Sequence, residues 1–326
     1  MCKSGAGRFT RRDRFCIVPR ISQLRDFGAK VRGTAIISDA ITLPPEPLAL
    51  SAPHARALAA RHCRHVDHGG FSCRDYHGVW QYLRLLDLVT TPRDHAAFYL
   101  PVLRNAIAAG RRRILISGAV DYSMLAVVLA AFDAEQVTGD ITVADICETP
   151  IRLCQWYADR AGAAIATEVG DILAHRPAAP YDLIVTHSFL GAFAPPARAR
   201  LVALWHDWLK PGGEAATVIR IRRDAPAMVT FTAEEIDRFR ETVRREASLG
   251  DLDIDLAALD ALARGYLAQR AVYPLGSRDA LAALFEGQGF AIAALALEPL
   301  VSAGPKPAGP TLRGGAEYAK ILAART

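Results

Sequence analysis

Residues 111–145, RRRILISGAVDYSMLAVVLAAFDAEQVTGDITVAD, decide the fold of this chain. The segment opens with a short, partly β-branched apolar run that ends in small residues. It continues with apolar residues at helical spacing and closes with a second run of β type. This pattern predicts a strand, a helix and a second strand. Such a unit places two parallel strands in one sheet, joined by a right-handed crossover.

The same alternation continues toward the C-terminus. The predicted order is helix, strand, strand, helix and strand, at 149–162, 163–171, 181–189, 195–209 and 214–222, with a turn at KPGG before the last. A final helix at 277–290 precedes two strands, 291–300 and 314–325, which should pair as an antiparallel hairpin. Strands that alternate with helices of this length predict an α/β fold with a mostly parallel sheet.

Three other segments complete the predicted organisation. Residues 1–45 form a basic, flexible N-terminal arm, and residues 46–110 form a helical cover that precedes the sheet domain 111–326. Residues 224–276 interrupt the alternation with two helices, the first of which opens with a capping box formed by Thr232 and Glu235. These two helices are predicted to be a cap inserted into the sheet domain.

The composition of the 326 residues is that of a globular protein, with 51% hydrophobic and 22% charged residues. The net charge of +5 comes from residues 1–45, which hold nine basic and three acidic residues. A near-neutral remainder argues against a nucleic-acid substrate, because phosphates need a basic surface on the folded domain. No apolar run approaches the length of a membrane-spanning helix, and six cysteines are too few for a disulfide framework. The sequence predicts a cytoplasmic protein without a membrane partner.

Four motifs lie at the predicted ends of successive strands: RILISGAVDYS, ITVADI, EVGDIL and YDLIVTHSFLGAF. Their order resembles that of the class I S-adenosylmethionine-dependent methyltransferases. In that family a Rossmann-like sheet of seven strands ends in an antiparallel hairpin. The resemblance covers residues 111–326 and implies S-adenosylmethionine as the cofactor.

The resemblance implies a cofactor site along these strand ends. Gly118 and Ala119 let the backbone approach the methionine part, and Asp145 accepts hydrogen bonds from the ribose. Asp121 would favour a cationic cofactor over a pyrophosphate, although it could equally cap the next helix. The adenine would lie by Asp171. The same site also includes Ile146, Ile172 and Thr186.

The predicted proton acceptor is His187, because an imidazole of near-neutral pKa at the carboxyl end of a strand can deprotonate a methyl acceptor. A histidine with only a structural role is the alternative. Tyr76 and His77, in the helical cover, are the next candidates for the site. Trp80 and Tyr82 lie in the same segment and are interpreted as packing residues.

A cluster of metal-binding residue types lies within 62–77: His62, Cys63, His65, His68, Cys73 and His77. Its spacing matches no zinc finger or ribbon, and only two thiols are present, so no metal is predicted.

The predicted function is methyl transfer to the oxygen, nitrogen or sulfur of a small molecule. The sequence is compatible with a homo-oligomer. Three alternatives remain: an RNA or protein substrate recruited by the basic arm, transfer or cyclisation of the aminocarboxypropyl group, and a non-catalytic binding protein. The missing glycines after Gly118 support the last of these.

Overall fold

The computed structural model describes residues 43–64, 73–268, 270–299 and 317–326. The predicted basic arm lies outside the described residues except for positions 43–45. In the described part, a seven-stranded sheet has the order β3-β2-β1-β4-β5-β7-β6. The strands are β1 (Arg113–Ser117), β2 (Asp140–Asp145), β3 (Ala166–Val169), β4 (Tyr181–His187), β5 (Leu209–Ile221), β6 (Phe290–Pro299) and β7 (Glu317–Arg325).

The first five strands run parallel to one another, and helices connect them across both faces of the sheet. Central strands of this kind are apolar on both faces, and β1 and β4 accordingly bury nearly all of their side chains. The helices are α1 (Leu48–His62), α2 (Cys73–Leu85), α3 (Ala96–Ala108), α4 (Ser123–Ala134), α5 (Glu148–Ala161), α6 (Pro195–Trp208), α7 (Ala233–Ala247), α8 (Leu256–Ala268) and α9 (Arg278–Glu286).

The C-terminal strands confirm the predicted hairpin. β7 pairs antiparallel with both β5 and β6 and lies between them, so the last strand of the chain is interior to the sheet. The turn predicted at KPGG is a bulge within β5. Tyr181 pairs with Leu209 and Leu183 with Glu214, so the four residues between Leu209 and Glu214 face a single residue of β4.

The helical cover and the inserted cap form one structural layer. Side chains of α2 and α8 share a hydrophobic cluster with α7, in which Val79, Leu83, Phe239, Val243 and Leu259 are buried. The predicted capping box at the start of α7 is present, with a hydrogen bond from Glu235 N to Thr232 Oγ1. We refer to α1, α2, α7 and α8 together as the cover.

Helix α3 was predicted to be part of the cover, but it packs on the sheet domain instead. Its Tyr99 hydroxyl donates a 2.7 Å hydrogen bond to the Thr186 carbonyl at the end of β4. The same hydroxyl accepts a hydrogen bond from Val218 N on β5. None of the helices in the described segments is both long and apolar enough to cross a lipid bilayer.

Candidate active site

A cavity of about 470 Å³ lies at the carboxyl edge of the parallel strands. Its floor is formed by residues that follow β1, β2 and β4, and its roof comes from α2, α8 and the segment after α8. In open α/β sheets, ligands bind at this edge, where the strand order reverses. The volume is in the range of small-molecule sites.

The turn after β1 needs a glycine. Gly118 has a φ of +77°, and a Cβ at this position would lie 2.5 Å from the Phe189 ring. The next residue, Ala119, donates its backbone N–H to Asp145 Oδ2 at 2.9 Å. The structure thus brings Gly118, Ala119 and Asp145 together at the cavity, as the sequence predicts.

Asp145 joins two turns at the floor of the cavity through its hydrogen bonds. Its second oxygen, Oδ1, accepts a hydrogen bond of 2.8 Å from Cys147 N, the residue before α5. Loss of contact with water raises the pKa of Asp145 to about 6, and the two amide hydrogen bonds offset this shift only in part. Each carboxylate oxygen can accept a further hydrogen bond, so Asp145 can still bind a hydroxyl in the cavity.

Asp171 also lines the cavity, together with Ile146 and Ile172. The Asp171 side chain is exposed and caps a short turn by accepting a hydrogen bond from Leu173 N. Ile146 is 46% exposed, although it is a large apolar residue. A flat apolar group such as an adenine ring would cover it. The cavity wall therefore fits the adenosyl end of the cofactor that the resemblance implies.

Two residues predicted for the cofactor site do not line the cavity. One is Thr186, which is buried at the end of β4. Asp121 is also buried and accepts hydrogen bonds from Trp80 Nε1 and Arg84 Nη1, at 2.9 and 2.8 Å. It also accepts one from Ser123 N, so it caps the helix as the alternative interpretation predicts.

His187 lies at the end of β4 and lines the cavity. Its Nδ1 is 3.3 Å from the Tyr99 hydroxyl, whose proton is directed to the Thr186 carbonyl. This arrangement favours the tautomer with the proton on Nδ1 and the lone pair on Nε2. Nε2 is buried and has no hydrogen-bond partner among the described residues. A buried acceptor without a partner can take a proton from a ligand.

Burial lowers the pKa of His187 to about 4, against a small opposing effect of Asp94. We therefore expect turnover to show no step from His187 between pH 6 and 8, because the ring is already neutral there. In the structure the pKa of His187 lies below the near-neutral value on which the sequence-based prediction rests. A kcat profile measured from pH 4.5 to 9 in wild type and His187→Ala checks this expectation. A rise near pH 6.5 that the substitution abolishes would contradict it.

The two other predicted catalytic residues have different surroundings. Tyr76 lines the cavity and stacks on Tyr266, with ring centroids 5.4 Å apart. Burial raises the pKa of Tyr76, so its hydroxyl stays protonated at neutral pH. His77 also borders the cavity, but its Nδ1 faces two thiols, Cys63 at 3.3 Å and Cys147 at 3.5 Å. Of the two, Tyr76 is the better placed to contact a ligand.

Three arginines of the cavity wall are not among the residues predicted from the sequence. Arg220 lies near the end of β5, Arg222 directly follows the strand, and Arg270 comes from the segment after α8. Arg270 lies over the Tyr76 and Tyr266 rings, at 5.5 and 5.3 Å from their centroids. The run IRIRR at 219–223 was the available signal, since alternate residues at a strand end point to the same side.

Replacing Asp145 by alanine is expected to weaken S-adenosylmethionine binding about ten- to a hundred-fold. Each charge-assisted hydrogen bond to the ligand contributes about 1.5–3 kcal/mol. Isothermal titration calorimetry measures the change. Asp140→Ala is the matched control, because Asp140 is at the opposite end of β2 and pairs with Arg113. An unchanged affinity in folded Asp145→Ala would refute the role of this residue.

Part of the chain matches a known protein family. Residues 126–213 match the family model of a methyltransferase domain. No curated protein matches the chain.

Solved structures with a related fold include the S-adenosylmethionine-dependent methyltransferase SibL, at 16% identity and a TM-score of 0.42. That alignment covers 77% of this chain and 58% of SibL. A methyltransferase from Methanosarcina mazei is 14% identical with a TM-score of 0.42, over 67% of this chain and 96% of that one. The N-methyltransferase NodS from Bradyrhizobium japonicum, in complex with S-adenosyl-L-homocysteine, is 13% identical with a TM-score of 0.44, over 86% and 99%. The matched methyltransferase domain and the seven-stranded sheet with its antiparallel C-terminal hairpin agree with the resemblance to the class I S-adenosylmethionine-dependent methyltransferases.

Proposed function

We propose that this enzyme methylates a small molecule that carries an anionic group, bound beneath the cover. The observation that carries the proposal is the position of Arg222 and Arg270 in the wall of a roofed cavity. The roof of α2 and α8 leaves a volume of about 470 Å³ for ligands, which suits small molecules rather than a polymer.

The charge of the cavity wall favours an anion. Burial, together with the charges of the neighbouring Arg220 and Arg270, lowers the pKa of Arg222 to about 10, so the group stays charged at neutral pH. The described residues include no carboxylate in an ion pair with Arg222 or Arg270. The neighbours that favour their charged form are the phenols of Tyr266 and Tyr318. A bound carboxylate or phosphate would supply the missing negative charge.

In the proposed methyl transfer, the residues of the cavity have separate roles. S-adenosylmethionine supplies an electrophilic methyl group when bound. Gly118 allows the backbone to approach it closely, and Asp145 accepts hydrogen bonds from its hydroxyl groups. His187 Nε2 accepts the proton that the nucleophilic atom of the acceptor loses. The cover excludes water, and the arginines fix the position of the acceptor by its anionic end.

The proposal is tested with S-adenosylmethionine labelled in the methyl group and a panel of small carboxylates and phosphate monoesters, each paired with its neutral ester. Labelled product is expected from the anionic member of a pair and not from the ester. Label that enters only RNA or protein in a cell extract would overturn the proposal, and so would equal rates for both members of each pair.

The Arg222→Met substitution then tests whether Arg222 binds the anionic group of the acceptor. The KM of the acceptor is expected to rise at least ten-fold, because one charge-assisted contact is lost, while the Kd of the cofactor stays unchanged. Arg223→Met is the matched control, since the next residue in the chain pairs instead with Glu317 at the surface. An equal loss of cofactor affinity would show that Arg222 binds the carboxylate of the cofactor, contrary to the proposal.

A further inference from the structure

Four side chains meet where the cover contacts the sheet domain: Cys63, Cys73, His77 and Cys147. Cys63 follows α1, Cys73 and His77 belong to the first turns of α2, and Cys147 precedes α5. Three of the four residues are buried, and Cys63 is half-buried. The segment 62–77 contains only two of these thiols. The third, that of Cys147, is more than 70 residues further along the chain.

Four of the six distances within this cluster are close to those between ligands around one tetrahedral ion, and all four ligand atoms lie within 4.8 Å of one another. Cys147 Sγ lies 3.7 Å from both Cys63 Sγ and Cys73 Sγ. His77 Nδ1 lies 3.3 Å from Cys63 Sγ and 3.5 Å from Cys147 Sγ. Tetrahedral zinc with bonds of about 2.3 Å to sulfur and 2.0–2.1 Å to nitrogen requires separations of roughly 3.7–3.8 and 3.5 Å.

The geometry points to a structural zinc site with the ligand set Cys63, Cys73, His77 and Cys147. Three thiolates and an imidazole select zinc over magnesium or calcium, which prefer oxygen ligands. The separations leave room for a single ion rather than an iron–sulfur cluster. Binding of Zn²⁺ displaces the protons of the three thiols into solvent, and the resulting site carries one negative charge. Four protein ligands fill the coordination sphere, which is typical of a structural site.

A second contact is consistent with the same assignment. The Thr149 hydroxyl lies 3.1 Å from Cys63 Sγ and is in position to donate a hydrogen bond to a thiolate. Donors of this kind in the outer shell orient metal ligands and tune their basicity. Near the cluster, His62 pairs with Glu148 at 3.1 Å, so α1 and α5 also meet beside it.

The zinc would fix the cover to the cofactor site. Cys147 is the residue whose backbone N–H binds Asp145 Oδ1, so a metal on its thiolate holds the turn that carries Asp145 and Ile146. The other three ligands belong to the cover. One ion would therefore join both walls of the cavity at the adenosyl end.

The metal content of the full chain tests the inference. The protein is produced without a histidine tag and purified without chelators, and its zinc is measured by inductively coupled plasma mass spectrometry. About one zinc per chain is expected. X-ray absorption at the zinc edge is expected to give three sulfur neighbours and one nitrogen neighbour at the bond lengths above. Because neither measurement uses a substrate, they stand whether or not the proposed acceptor is correct.

Variants separate this site from other thiols. Cys147→Ser is expected to lower the zinc content to below about a tenth of that of wild type, whereas Cys154→Ala should keep it. Cys154 is the matched control, because it is buried nearby in α5 but lies outside the cluster. Thr149→Val retains all four ligands and is expected to weaken zinc binding about ten-fold in a chelator competition, even if the cysteine variants do not fold.

Two results would overturn the inference. One is that reduced wild-type protein takes up no zinc when Zn²⁺ is supplied and all of its cluster thiols react with an alkylating reagent. The other is a disulfide between two of the three cysteines in protein isolated with alkylation at harvest, since a disulfide would remove two of the ligands.

Discussion

Replacing His187 by alanine is expected to lower kcat by roughly 10² to 10⁴, the usual range for a lost general base. Cofactor affinity should change little, because the side chain lies at the end of β4 rather than among the residues after β1, β2 and β3. The physical reason is the buried Nε2, which has no hydrogen-bond partner in the described part of the chain. Single-turnover assays and calorimetry measure the two quantities separately.

A buried histidine away from the cavity provides the control. His175 is held by Glu168 and by the Tyr181 hydroxyl, and it does not line the cavity. His175→Gln should therefore lower the melting temperature but preserve turnover per folded molecule. If His187→Ala melts normally and turns over at the wild-type rate, His187 is not the base, and Tyr76 becomes the next residue to test.

Replacing Arg84 by methionine is expected to cost about 3–5 kcal/mol of unfolding free energy, because the change leaves Asp121 buried without its cation and Glu46 with only the more exposed Arg93, at 3.8 Å. Arg84 lies between the two carboxylates, with Nη2 2.6 Å from Glu46 Oε2 and Nη1 2.8 Å from Asp121 Oδ2. All three side chains are less than 5% exposed. This triad joins the segment before α1, helix α2 and the turn after β1. Urea denaturation followed by circular dichroism gives the free energy.

The pH dependence of the unfolding free energy distinguishes the loss of the Arg84 charge from a loss of packing. Burial raises the pKa of Glu46, and Arg84 opposes that shift in the wild type. Without Arg84, the folded protein binds a proton more readily than the unfolded chain, so the variant should recover part of its stability as the pH falls from 7 toward 5. Arg240→Met is the control. Its pair with Asp260 lies near the surface, so we expect a loss below about 1 kcal/mol. Equal losses in the two variants would contradict the prediction.

Local patterns were enough to predict most of the sheet domain. The seven strands, the hairpin and the capping box at Thr232 follow from apolar periodicity and turn residues, which act over a few positions. Local patterns do not show which residues of α2 and α8 pack together, because nothing local records that Leu83 and Leu259 share one hydrophobic cluster across more than 170 residues. The packing of α3 on the sheet domain also depends on distant residues, among them the hydrogen bond from the Tyr99 hydroxyl to the Thr186 carbonyl of β4.

The candidate site was predicted best where residues follow strands directly. Gly118, Asp145 and Asp171 line the cavity because the carboxyl ends of parallel strands share one edge. The role of Asp121 depends instead on a residue of another element, because Arg84 of α2 donates a hydrogen bond to its carboxylate. The pKa of His187 could not be predicted from the sequence either, because it depends on how far the folded chain excludes water from the ring.

The two halves of the cover lie on either side of the first five strands in the chain. Between the end of α2 and the start of α7 there are about 150 residues, which take roughly 8 to 30 s to synthesise on a ribosome. During that interval the apolar side chains of α2 that α7 and α8 later bury have no such partner. Chaperones bind apolar segments that a nascent chain exposes in this way. The nascent chain therefore contains its first five strands before the second half of the cover, and its last two strands only after it.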